Sequence, residues 1–271
     1  MSAGQDPPIK IGHMLFTMVD PNRGHEVAYN RWYERDHFYA GCMIGPGWFA
    51  GRRWVAPRAL KDLRFPADSP FAEPVVAGSY LSVYWVHLGN LDEASKWAGE
   101  QVVWLYQNGR GFNERTHAHT GMYTPDSTVH AHDDGVPIEL ALDHDYGGLG
   151  VVVVEPTHGT ADATDRDTLI QTLEAGPSRT LMDGTGVDMV SSWKVIPRPP
   201  GSQAPMSLGT DGGSDDRVVQ LCFIDGPAAD VWDAFRSYAK DIDQSGAGRV
   251  TFAAPFLPTV VGTDTYVDQL W

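Results

Sequence analysis

The sequence contains little cysteine, few basic residues and no long hydrophobic run. Its 271 residues include two cysteines, Cys42 and Cys222, which are too few for a disulfide framework or a zinc cluster. The 20 basic and 35 acidic residues give a formal net charge of −15, which disfavours binding to nucleic acid or to an anionic membrane surface. No run reaches the roughly 18 apolar residues of a membrane span, and the N-terminus lacks the pattern of a signal peptide. We therefore expect a cytoplasmic protein without nucleic-acid or membrane partners.

Several catalytic motifs are also missing. No Gly-rich phosphate loop follows the first predicted strand, no Gly-x-Ser-x-Gly turn occurs, and Cys42 has no recognisable nucleophile context. These absences disfavour hydride transfer in a nucleotide-binding domain, kinase chemistry and serine hydrolysis. We therefore predict a function that requires no cofactor.

The hydrophobic pattern predicts the element order β-α-β-β-α-β twice along the chain. In the first half, the predicted strands span 10–19, 48–56, 75–88 and 117–123, and the predicted helices span 25–39 and 92–108. In the second half, the predicted strands span 149–155, 187–196, 217–224 and 249–260, and the predicted helices span 165–175 and 228–242. Trp54-Val-Ala-Pro-Arg58 is echoed by Trp193-Lys-Val-Ile-Pro-Arg198. We therefore predict two units, residues 1–135 and 146–271, although two unrelated α+β halves would show the same order.

A βαββαβ unit forms a four-stranded antiparallel sheet with both helices on one face, so its other face needs a cover. Two such units can cover each other. The predicted fold class is therefore α+β, with two tandem ferredoxin-like βαββαβ units packed sheet to sheet as an intrachain α+β barrel. We expect a small ligand to bind in the space between the two sheets.

The first predicted helix carries the strongest candidate for a site. Tyr29, Tyr33 and His37 recur every fourth residue and share one face, which Trp32 and Asp36 flank. His37 is the candidate general acid or base because imidazole titrates near neutrality, and Asp36 is the candidate that holds its tautomer. The three aromatic side chains would bind a hydrophobic or aromatic substrate. Core packing accounts equally well for the aromatic residues, and a surface charge accounts equally well for Asp36.

Four further residues are candidates for the same pocket. His117 and His119 lie two apart on a predicted strand, so we expect them on the same side of the sheet, where they could join His37 or ligate a metal ion. A solvated pair is the alternative. Arg53 could bind a substrate anion or form an ordinary salt bridge. Trp85 on the third predicted strand is a further candidate for substrate binding.

The motif around His37 resembles a known protein superfamily. Asn30, Trp32, Tyr33, Asp36 and His37, followed by Pro46-Gly47-Trp48 and Arg52-Arg53-Trp54, resemble the dimeric α+β barrel superfamily, particularly its EthD-like members. The resemblance implies a ferredoxin-like fold, a barrel made by two units, and a pocket in which the helix histidine lies near a substrate. This chain departs from the pattern because it carries both units in one polypeptide. The second unit also lacks the motif, since residues 165–174 contain no histidine and no aromatic residue.

Members of that superfamily include cofactor-free oxygenases, cyclases, isomerases and dehydratases, together with proteins of no known activity. The expectation is an enzyme of catabolic or natural-product metabolism in which His37 moves a proton on a hydrophobic or aromatic small molecule. Oxygenation, cyclisation, isomerisation and decarboxylation all fit that first step. The alternatives are a non-catalytic small-molecule binding protein and a metal-dependent enzyme with histidine ligands. Association as a homodimer is compatible with either function.

Overall fold

In the computed structural model, which describes residues 9–157, 163–198 and 206–271, eight antiparallel strands close into a barrel. The strands are β1 (Ile11–Pro21), β2 (Trp48–Val55), β3 (Tyr80–His87), β4 (Arg115–His130), β5 (Gly148–Pro156), β6 (Val187–Ile196), β7 (Val218–Ile224) and β8 (Gly248–Pro258). Around the barrel their order is β1-β3-β2-β8-β5-β7-β6-β4, and β4 pairs again with β1.

Each half of the chain contributes four neighbouring strands in the same arrangement. The first half has the order β4-β1-β3-β2 and the second half the order β8-β5-β7-β6, which is the ferredoxin-like arrangement in both cases. The halves join where β2 pairs with β8 and where β4 pairs with β6. The echoed residues Trp54 and Trp193 lie on the corresponding strands β2 and β6. The predicted fold class, two ferredoxin-like units forming an α+β barrel within one chain, is confirmed.

The helices lie between these strands in the sequence. They are α1 (Glu26–Trp32), α2 (Arg58–Lys61), α3 (Leu91–Gln107), α4 (Ala163–Ala175), α5 (Pro177–Met182) and α6 (Trp232–Ser245). No helix in the described ranges is both long and apolar enough to cross a membrane. After α1 the chain continues through two π-helical stretches, Tyr33–His37 and Tyr39–Met43, so the helical segment extends beyond the predicted end at residue 39.

Large side chains fill the interior of the barrel. Met14, Phe16, Trp54, Phe223 and Phe252 are all fully buried there. Trp85 from the first half and Trp193 from the second half stack at 4.9 Å between ring centroids and 16° between planes. An eight-stranded barrel is just wide enough to be filled by side chains or to hold one small ligand, and here buried side chains from both halves fill it. The space between the sheets is therefore packed core, and the expectation of a ligand there is wrong.

The stacking of Trp85 on Trp193 predicts that truncating Trp85 destabilises the fold far more than truncating an exposed tryptophan. Trp85→Ala removes a fully buried ring from the contact between the halves, so we expect the free energy of unfolding to fall by about 3–5 kcal/mol. The control is Trp104→Ala on α3, whose side chain is 47 % exposed, and we expect it to cost a small fraction of that. Urea unfolding followed by circular dichroism measures both. Equal losses in the two variants would contradict the proposed role of this stacked pair.

Candidate functional site

His37 lies at the end of the first π-helical stretch, with its ring held by three neighbours. The Trp32 indole stacks on the imidazole at 4.3 Å between centroids and 18° between planes, and the Tyr33 ring meets it edge-on at 5.2 Å. Gly41 lies directly against the ring, because a Cβ atom at that position would come within 2.9 Å of His37 Cε1. Single π-helical turns are frequent at functional sites. The imidazole is thus held in a fixed orientation by Trp32, Tyr33 and Gly41.

Two arginines on the outer face of the first sheet flank this aromatic surface. The Arg53 guanidinium carbon lies 4.5 Å from the centre of the Tyr33 ring and 4.8 Å from that of Tyr80. The Arg115 guanidinium carbon lies 4.5 Å from the centre of the Trp32 ring. Each guanidinium therefore contacts an aromatic side chain that also contacts the His37 ring. We call the region between this helix and the outer face of β1–β4 the first layer, defined by Trp32, Tyr33, His37, Arg53, Tyr80, Arg115 and His117.

Polar groups of the first layer are only partly satisfied within the described chain. Arg53 Nη1 donates to Glu34 Oε1 at 3.1 Å and to Asn30 Oδ1 at 3.0 Å, but its Nε and Nη2 have no acceptor. Arg115 Nε and Nη1 also have none, and its Nη2 contacts only the Met206 sulfur, a weak acceptor, at 3.0 Å. His117 Nε2 and Tyr80 Oη are likewise buried without a partner. Buried polar atoms usually have partners, so this concentration indicates a place for water or a ligand.

The imidazoles of the first layer are neutral at physiological pH. Burial lowers the pKa of His37 to about 3, and the positive charge of Arg115, the neighbouring His117 and the charge of Arg53 act in the same direction. Burial and Arg115 likewise lower the pKa of His117 to about 3. Within the described residues the His37 side chain forms no hydrogen bond. Its ring is therefore a neutral imidazole that is available to an incoming ligand.

The two strand histidines lie on opposite faces of the sheet, so the expectation that they face the same side is wrong. A register shift in the pairing of β1 with β4 falls between the positions opposite His117 and His119 and reverses the usual alternation. His117 faces the helix, and its Nδ1 lies 2.8 Å from Thr120 Oγ1. His119 is buried on the barrel side, where its Nε2 lies 2.7 Å from Tyr123 Oη and its Nδ1 lies 2.9 Å from the Thr210 carbonyl oxygen. The pair cannot converge on one metal ion, and among the described residues no three His, Cys, Asp or Glu side chains are grouped to hold one.

Three other predicted site residues differ from their expected positions or roles. Trp85 points into the barrel against Trp193, because Tyr84 is the residue of β3 that faces the helix, so placing Trp85 beside His37 is wrong. Asp36 pairs with Arg110 at the surface and forms no contact with the His37 ring. Tyr29 is fully buried. It packs within an apolar cluster beneath the helix, so its side chain is not accessible to a ligand.

A groove with a volume of about 1260 Å³ runs beside the first layer. Thr120, which bonds His117, and Met206, which contacts Arg115, both line it. Its walls also include Leu15 and Met122 from the outer face of β1 and β4, and Ser95 from α3. Ligand sites commonly have volumes of about 300–1000 Å³, so the groove is large enough for a small molecule. The seven residues that define the first layer are not among its lining residues, so the groove and the layer meet through Thr120 and Met206.

The corresponding layer of the second half has a different content. Between its helices and the outer face of β5–β8, Leu173, Cys222 and Phe235 pack as an apolar cluster. The polar pair at its centre is satisfied, because Tyr238 Oη donates to Gln220 Oε1 at 2.7 Å. The unpartnered donors around His37 and His117 therefore have no counterpart at the centre of this second layer.

Sequence reasoning missed Arg115 and Tyr80 as members of the layer. Arg115 lies two residues before His117, and period-two alternation along a strand could have placed it on the same face. Tyr80 alternates in the same way with Tyr84 on β3. The groove had no sequence signal, because its walls come from β1, α3, β4 and residues 206–217, which are far apart in the chain.

The lowered pKa of His37 predicts a dependence of stability on pH. Its pKa falls from an ordinary 6.5 in the unfolded chain to about 3 in the folded protein, so below pH 6.5 the unfolded chain binds a proton that the folded protein does not. The contribution of His37 to the free energy of unfolding is therefore complete above pH 6.5 and is lost as pH falls toward 3. His37→Gln removes this contribution. We expect the loss of unfolding free energy between about pH 7 and pH 5 to be smaller in the variant by about 1–2 kcal/mol.

Chemical denaturation at the two pH values measures this difference. The control is His132→Gln, which removes an exposed histidine. An identical loss of stability in wild type and His37→Gln would show that His37 titrates as an ordinary exposed imidazole.

Comparison with known proteins identifies the fold. No protein-family model matches the chain, and no curated protein matches its sequence significantly. Among solved structures, an anthrone oxidase-like protein is 12 % identical over 95 % of this chain and 98 % of its own, with a TM-score of 0.55. A chlorite dismutase candidate is 11 % identical over 97 % of this chain and 100 % of its own, with a TM-score of 0.53. At such low identity the likeness concerns the fold alone, and that fold is the dimeric α+β barrel, here completed within one chain.

Proposed function

We propose that this chain is a small-molecule enzyme in which the neutral imidazole of His37 accepts a proton from a hydrophobic or aromatic substrate in the first layer. The observation that carries the proposal is the surrounding of that imidazole. An unbonded, neutral ring is stacked on Trp32, and its aromatic neighbours contact two guanidiniums that have unused donors. A purely structural histidine would normally be hydrogen-bonded.

In this proposal a substrate approaches the first layer from the neighbouring groove. Thr120 and Met206 connect its wall to His117 and Arg115, so a molecule in the groove would meet the polar end of the first layer. Trp32 and Tyr33 would then offer an apolar surface for a ring system. The arrangement fits a substrate with an aromatic body and a polar edge.

Removal of a proton leaves negative charge on the substrate, and the first layer is built to stabilise it. Arg53 and Arg115 are fixed positive charges in a region of low water content, where electrostatic stabilisation is strongest. The low pKa of His37 makes it a weak base in the empty site. The proton it accepts must therefore come from an acidic C–H or O–H group, such as that of a phenol or an activated ketone.

Proton transfer of this kind begins cofactor-independent oxygenation, cyclisation, isomerisation and decarboxylation. The EthD-like motif and the structural likeness to an anthrone oxidase-like protein support polycyclic phenols and ketones as the first substrates to test. In this proposal the unit of residues 1–135 carries the site, and the unit of residues 146–271 completes the barrel that holds it in place.

A screen with purified protein tests the proposal. Anthrones and related hydroxylated polycyclic ketones are supplied in air, and substrate absorbance and dissolved oxygen are followed with time. For a substrate that is turned over, we expect His37→Gln to lower kcat by roughly 100- to 10,000-fold because the proton acceptor is lost. Calorimetric titration should show substrate affinity within a few-fold of wild type, since the aromatic surface remains.

The control is again His132→Gln, which should keep full turnover. A His37→Gln variant with unchanged kcat would disprove the role of His37. Tight binding of these compounds by wild type without any turnover would favour the alternative, a non-catalytic small-molecule binding protein. In that case Trp32→Ala should weaken binding, whereas His37→Gln should not.

A further inference from the structure

We propose that the ligand of the first layer is a carboxylate, and that Arg115, assisted by His117 Nε2, binds its carboxylate group. The proposal rests on the first layer being the substrate site proposed above, and it names the chemical class of that substrate. Arg115 then acts as a specificity-determining residue, distinct from the proton acceptor His37.

Arg115 has no anionic partner in the described chain. Its sequence neighbour Glu114 is turned away, accepting a hydrogen bond from Asn22 Nδ2 at 3.0 Å and lying 3.7 Å from His25. The other acid of the layer, Glu34, is already paired with Arg53. In a chain of net charge −15, a partly buried arginine without a carboxylate is unusual.

The donors of Arg115 suit a carboxylate in number and geometry. Two of its nitrogen atoms are buried without an acceptor, and the third contacts only a thioether sulfur. A planar guanidinium can bind a carboxylate through two parallel N–H groups, and such charge-assisted bonds are far stronger than a contact with sulfur. His117 Nε2 adds a further buried ring nitrogen, while its Nδ1 is held by Thr120. With the proton on Nε2, the ring would donate a third bond to the same anion.

A bound carboxylate would also prepare His37 for its role. The positive charges of Arg115 and Arg53 contribute to the low pKa of His37. A negative charge seated on Arg115 would offset that contribution and raise the pKa of His37 toward the working range of a general base. The substrate would thereby strengthen the base that acts on it.

The placement of the anion also fits the groove. Arg115 contacts Met206 and His117 bonds Thr120, and both of these residues belong to the groove wall. A carboxylate held by Arg115 and His117, behind these two wall residues, would leave the rest of an aromatic molecule along Trp32. An acid carried on an aromatic ring is therefore the class of ligand that the first layer fits.

Paired probes test the proposal by calorimetric titration. The probes are 1-hydroxy-2-naphthoate and its uncharged amide, 1-hydroxy-2-naphthamide, which share the ring system and differ in charge. We expect wild type to bind the carboxylate roughly tenfold or more tightly than the amide. Arg115→Gln should remove this preference, and Arg115→Lys should keep part of it because the charge remains.

The matched control is Arg110→Gln, which removes an equal charge from the arginine paired with Asp36 at the surface. It should keep the full preference for the carboxylate. Thermal unfolding of every variant separates loss of the site from loss of the fold, and Arg115→Lys keeps the test valid where Arg115→Gln does not fold.

The outcomes distinguish this proposal from the proposed function. Equal affinity of wild type for the two probes, no saturable binding of the carboxylate, or a preference that survives in Arg115→Gln would overturn it, even where His37-dependent turnover of neutral substrates is found. A preference that disappears in Arg115→Gln and persists in His37→Gln would support it, even where no turnover is detected.

Discussion

Closure of the barrel by strand pairing between the two halves is the constraint on which the rest of this structure depends. Because β2 pairs with β8 and β4 pairs with β6, each strand has one face inside the barrel and one face toward the helices. The inside is occupied by stacked tryptophans and other large side chains. The proposed site therefore lies in an outer layer, between sheet and helices. Side chains alternate between the two faces along each strand, so a residue's position in this alternation decides whether it faces the barrel interior or the helices.

The two outer layers have the same topology and opposite character. The second layer buries an apolar cluster and satisfies the polar pair Tyr238 and Gln220 at its centre, which favours stability. The first layer buries arginines and histidines with unused donors, which costs stability unless water or a ligand satisfies them. Natural proteins tolerate such local costs mainly at functional sites. The asymmetry agrees with the proposal that the first half carries the site and the second half completes the barrel.

Much of the fold was predictable because it follows from local periodicity. Alternation and helical spacing predict all eight strands, both long helices of the first half and the shared face of Tyr29, Tyr33 and His37. The wrong predictions share one physical origin. The face of the sheet on which a strand residue lies depends on how that strand pairs with its neighbours. The register shift opposite Met18 and Val19 sends His119 into the barrel, and nothing in the local sequence reveals it. Trp85 and the groove likewise depend on contacts between distant segments.

Gly41 links the packing of the helix to the position of the imidazole. The ring of His37 occupies the volume that a side chain at position 41 would need, and the helix is widened on both sides of this contact. A methyl group at position 41 would push the ring off Trp32 and alter its distance from both guanidiniums. Gly41 therefore determines how the His37 ring lies against Trp32. A change that removes the π-helical widening would also move the imidazole relative to Arg53 and Arg115.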